Sequence, residues 1–133
     1  MFGYIAGLPL FALYFVAGLA LLATFAALYI WVTPHREMAL IRGGNGAAVL
    51  GFLGALLGFS LPLASAAANS VSVVDFILWS LIGMAVQVIA FFVARATMED
   101  LSGRITRGEV AAGAWAGGLA LAVGLLNAAC MTY

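Results

Sequence analysis

Charge is the scarcest property of this sequence. Of its 133 residues only 8% are charged, lysine is absent, and five arginines are balanced by five acidic residues to a net charge of zero. A chain without a basic stripe has no footprint for nucleic acid. The single cysteine, Cys130, excludes an internal disulfide and a cysteine metal cluster. The single histidine, His35, has no second His or Cys nearby to complete a zinc shell. No metal and no cofactor is therefore expected. The first apolar run lacks a basic flank and is too long for a signal peptide, so it reads as a retained span.

What remains is apolar. The chain is 66% hydrophobic, with a mean hydropathy of +1.19. No soluble fold hides that much apolar surface, so this is an all-α polytopic membrane protein whose solvent is the lipid bilayer. Length places four transmembrane helices near residues 8–32, 46–68, 73–94 and 109–130, in one membrane domain covering residues 1–133. Between the first two spans, Thr33 and Pro34 read as the start of a short interfacial helix that Gly43 and Gly44 close. Ser72 with Asp75 three residues on reads as a capping pair opening the third span. The stretch 95–109 is charged and loop-like.

The second span organises the rest. It holds no charge, and 13 of its 23 residues are Gly, Ala or Ser. The fourth is similar, with 12 small residues in 22, whereas the first and third carry ten of the sixteen aromatics. Small residues let backbones approach, and contact rather than hydrophobicity holds helices together in lipid. The even spans are therefore expected to pack against protein, through Gly54, Gly58, Gly113 and Gly117, while the odd spans face lipid more.

The two halves resemble each other at an offset of 64. Thr33 matches Thr97, Ile41 matches Ile105, Gly44 matches Gly108, Ala47 and Ala48 match Ala111 and Ala112, and Gly54 matches Gly118. The reading is two tandem two-helix repeats, residues 8–68 and 73–130. All five arginines, Arg36, Arg42, Arg95, Arg104 and Arg107, lie in the first and third connections. Those connections are expected on the cytoplasmic side and both termini outside, which makes the repeats parallel.

Three groups of residues are candidates for a site. His35, Arg36 and Glu37 form the densest polar cluster; a solvated loop that fixes topology is favoured over a metal or phosphate site. Gln87 is the strongest polar group deep in a span, and an interhelical hydrogen bond is its commoner use. Pro62, Ser65 and Asn69 end the second span, and Asn127 and Cys130 end the fourth, so both sets belong to the same membrane half. Mutual hydrogen bonding is favoured there over a polar vestibule. Asp75 reads as a helix-start carboxylate rather than a ligand. No acid or base lies deep in a span, which argues against a proton relay or voltage sensor. No nucleophile has a base beside it, so an enzyme is not expected.

The residues also carry a family likeness. Thr33-Pro34-His35, Glu37, Leu40-Ile41, Asn45, Pro62-Leu63, Ser65, Asn69, Ser72, Asp75, Gln87, Arg95 and the ending Asn127-Ala128-Ala129-Cys130-Met131-Thr132 resemble the YjfL-like family of small bacterial inner-membrane proteins. The resemblance implies a bacterial inner-membrane location and a duplicated membrane module, and no activity or catalytic residue. The leading expectation is a non-enzymatic module that forms a homo-oligomer or docks a cytoplasmic protein partner. The alternative is a channel or passive transporter subunit for an ion or small solute.

Overall fold

The computed structural model describes residues 7–33 and 37–131. Among them there are six helices and no strand. They run α1 Leu8–Val32, α2 Glu37–Arg42, α3 Gly46–Asn69, α4 Val73–Thr97, α5 Leu101–Thr106 and α6 Val110–Cys130. Four of these, α1, α3, α4 and α6, are long and apolar enough to cross a membrane. In hydrocarbon a chain must satisfy its backbone within itself, so uninterrupted apolar runs of this length fold as helices.

The helix ends follow local chemistry. Pro9 lies in the first turn of α1, where its missing N–H costs nothing. The Asn45 side chain accepts from the Ala48 N–H to open α3. Ser72 accepts from the Asp75 N–H at 3.1 Å, and the Asp75 carboxylate accepts from the Val71 N–H at 3.1 Å, as the sequence predicts. The short helices α2 and α5 end alike. Gly44 and Gly108 have φ of +84° and +81°. The Asn45 N–H reaches back to the Leu40 carbonyl, and the Glu109 N–H to that of Arg104. These paired bonds around a left-handed glycine let each short helix stop and a long one start at once.

Two expectations need correction. The stretch after α4 is not simply a loop: it contains α5, whose Leu101 and Ile105 are buried. The odd spans do not both face lipid. In its most apolar window α1 is 11% buried, but α4 reaches 39%, level with α3 and above the 33% of α6. The aromatics of α4 and α1 serve partly as filler between helices. Phe25 of α1 stacks on Phe59 of α3 at 4.7 Å, and Tyr29 meets Phe52 at 5.5 Å and Phe91 of α4 at 5.7 Å.

Candidate functional site

The most extensive helix contact joins α3 to α6, which run in the same direction. Its steps are paired in register. A Cβ on Gly113 would run into the Ala47 backbone, one on Gly117 into that of Leu50, one on Gly54 into that of Gly117, and one on Gly58 into that of Ala120. Farther along, a Cβ on Gly124 would strike the Gly58 carbonyl oxygen. Backbone therefore lies on backbone over about three turns, a closeness that only glycine permits. Gly118 is different. A Cβ there meets nothing within 4 Å, so the offset of 64 that matches it to Gly54 misses the contact face by one residue. One residue is a rotation of about 100° on a helix.

Pro62 and Gln87 sit beside the Gly58 end of this seam. Pro62 is buried inside α3 and has no N–H to give the Gly58 carbonyl one turn back. Its ring lies against α4, where a Cβ on Gly83 would be 3.3 Å from the Pro62 Cβ and Cγ. Gln87 is 3% exposed. Its Nε2 donates to the Ala120 carbonyl at 3.0 Å, tying α4 to α6. Its Oε1 and the Oγ of fully buried Ser80, two turns earlier on α4, have no hydrogen-bond partner among the described residues.

Among the described residues, the polar ends of α3 and α6 are partly tied to each other. Ser65 Oγ donates to the Ala128 carbonyl at 3.1 Å and links the two helices. Asn69 is exposed and turns back on its own helix, its Nδ2 donating to the Ser65 carbonyl at 2.8 Å. Asn127 is half-buried, with its Nδ2 unpartnered among the described residues, and Cys130 is an exposed free thiol. The large groove at this end is apolar and lies on the α1 side, between Phe11, Leu19, Ala64 and Phe76.

The arginine-bearing face is built differently from its sequence reading. Glu37 is 1% exposed, so the solvated-loop reading fails for it. It opens α2, and α2 lies on the bundle rather than in water. His35 and Arg36 lie outside the described residues. Arg104 pairs with Glu109 at 3.0 Å, and Arg107 with Asp100 at 3.3 Å and Glu109 at 3.6 Å. These exposed pairs are worth little in stability. Asn45 joins the two connections. While its Oδ1 caps α3, its Nδ2 donates to the carbonyls of Ile105 at 2.8 Å and Thr106 at 3.2 Å. Its capping position is readable in the sequence; its reach of sixty residues is not. Asp, Glu, His and Cys do not gather in threes anywhere among the described residues.

The sequence matches the family described as Domain of Unknown Function (DUF350) over residues 3–131. It is similar to the UPF0719 inner membrane protein YjfL of Escherichia coli strain K12, with 44% identity over 123 residues, 92% of this chain and 93% of that protein. The protein of the same name from Escherichia coli O157:H7 gives the same figures. No solved structure matches the chain.

Proposed function

The chain belongs to the DUF350 family, and from that premise we propose that it is a non-enzymatic inner-membrane module acting through its surfaces, as a homo-oligomer or as a dock for a cytoplasmic protein. The carrying observation is the α3–α6 seam. Backbone contact from Ala47–Gly113 to Gly58–Gly124 leaves no width for water between these helices. A protomer closed along its central contact acts outward rather than through its middle. The matching closures of α2 and α5, 64 residues apart, support the reading of two parallel repeats. The arginines at both connections support placing those connections in the cytoplasm and the termini outside.

The inner-membrane location is inferred from the relatives, which carry it in their name. Mass measurement of the protein in lipid nanodiscs tests the assembly. Two or more copies, or a retained cytoplasmic protein, is the expected result; a lone protomer at every concentration, with nothing retained, would overturn it.

The channel reading keeps one observation in its favour. Ser80 Oγ and Gln87 Oε1 are buried polar atoms without partners among the described residues, on one face of α4. Such atoms cost about 1–3 kcal/mol each unless something meets them. Flux through reconstituted liposomes decides. Ion or solute movement above that of empty vesicles, lost in Gln87→Leu, would move the function from the surfaces to a path along α4.

A further inference from the structure

The helix registers bring three polar residues to one depth. Helix α4 runs against both α3 and α6: Gly58 lies beside Gln87 and Pro62 beside Gly83, while Gln87 reaches the Ala120 carbonyl. Ser80 is seven residues before Gln87 and Asn127 seven after Ala120, so both lie two turns from that bond and on the same side of it. Ser80 is also three residues before Gly83, and Ser65 three after Pro62. The Ser65 bond to the Ala128 carbonyl closes the layer. Ser80 is fully buried, and its Oγ and the buried Nδ2 of Asn127 have no partner among the described residues. This packing leaves a hydrogen-bonding need on both groups that water would meet.

The end of α3 covers this layer, and it is weakly held. Pro62 offers no N–H to the Gly58 carbonyl, which makes it the natural bending point of α3. Before Pro62 the glycine seam locks α3 to α6. Beyond it, among the described residues, one side-chain hydrogen bond joins 63–69 to α6, from Ser65, and Asn69 turns back on its own helix. The opposite face of the same segment is free to move. Ala67 lies nine residues past Gly58, about two and a half turns round the helix, and so points away from α6. It and Ala64 are exposed and line the apolar groove on the α1 side. We propose that residues 63–69 form a gate hinged at Pro62, whose swing into this groove admits water to Ser80 and Asn127 from the membrane side opposite the arginine-bearing connections. The seam before Pro62 stays closed, so the gate opens a polar pocket and not a path through the protomer. It operates in a lone protomer and in an assembly alike.

The test is thiol accessibility in the full chain in nanodiscs, with Cys130→Ser removing the exposed native thiol. The probe is the membrane-impermeant cation 2-(trimethylammonium)ethyl methanethiosulfonate, and labelling is followed by intact mass. Ser80→Cys is expected to label, and Gln87→Cys, two turns deeper, to label about tenfold more slowly because it lies below the hinge. Ala64→Leu with Ala67→Leu fills the groove and slows labelling of Ser80→Cys about fivefold, since the rate follows the open population. Leu19→Trp fills the groove from α1 and gives the same slowing should the α3 double variant fail to fold. Ser65→Ala cuts the tie to α6 and speeds labelling about threefold, the worth of one average hydrogen bond in a membrane protein. No labelling of Ser80→Cys in folded protein, or equal rates with the groove open and filled, would overturn the gate. Equal rates for Ser80→Cys and Gln87→Cys would also overturn it, because the opening would then pass Pro62.

Discussion

The helices α6 and α1 both lean on α3, and they do so by opposite means. The α6 contact is backbone on backbone, with glycine at each crossing. The α1 contact is side chain on side chain, through Phe25 and Tyr29, and most of α1 faces outward. In water the ring contact would be the stronger, because burying a phenylalanine removes a large apolar area. In lipid that gain shrinks, since acyl chains are as apolar as Phe, and closeness of approach decides instead. The helix richest in hydrophobic side chains is therefore the most loosely held.

The largest expected effect falls on the glycine seam. Gly54→Leu or Gly117→Leu places a side chain inside the opposing backbone and is expected to cost more than about 3 kcal/mol, read as loss of folded protein in a denaturant titration in micelles. Gly118→Leu, one position away, is expected to stay within about 0.5 kcal/mol. Equal damage from Gly117→Leu and Gly118→Leu would erase the distinction between the two faces of α6.

Next comes the aromatic contact. Phe25→Ala is expected to cost about 2 kcal/mol, below the roughly 3–5 of aqueous cores, because lipid refills the space. The loss is local: hydrogen exchange rises along α1 while α3 and α6 stay protected. Protection lost evenly in all four spans would mean that α1 is as integral as α6.

Asn45→Ala removes the α3 cap and both bonds to the α5 end, for an expected 1–2 kcal/mol, about 1 of which is the cap. Asn45→Ser keeps a cap but not the reach, so the difference between the two variants in thermal melting isolates the cap. A Ser variant as stable as the parent would leave the bridge without energetic weight.

The smallest effect belongs to Gln87→Leu. The lost bond to Ala120 is worth about 0.6 kcal/mol on the average for membrane proteins, and removal of the unpartnered Oε1 offsets part of it. A melting shift at the edge of detection is expected, and a loss above about 2 kcal/mol would show that Gln87 holds the seam.

The spans, the Ser72–Asp75 cap and the closing glycines of α2 were legible because each depends on a few adjacent residues. Less visible was anything that depends on which way a face turns. The count of aromatics assigned α4 to lipid, yet Phe76 and Phe91 point inward. A six-residue helix is too short for its period to show, so α5 was hidden among charges. Charge in a connection is normally solvated, and the burial of Glu37 arises only from how α2 lies on the bundle. For the candidate site, the packing glycines Gly54, Gly58, Gly113 and Gly117 can be named from sequence, but the residue opposite Gly54 cannot: the offset of 64 points to Gly118, and a single residue turns the helix by about 100°.

The α3–α6 seam also sets a timetable for synthesis. Asn69, the last residue of α3, and Val110, the first of α6, are separated by about forty residues of chain. At roughly 5–20 residues per second, the ribosome needs about 2–8 seconds to make that stretch. Throughout that interval α6, which supplies the backbone opposite Gly54 and Gly58, does not yet exist. A chain halted before Val110 lacks every α6 residue of the glycine seam.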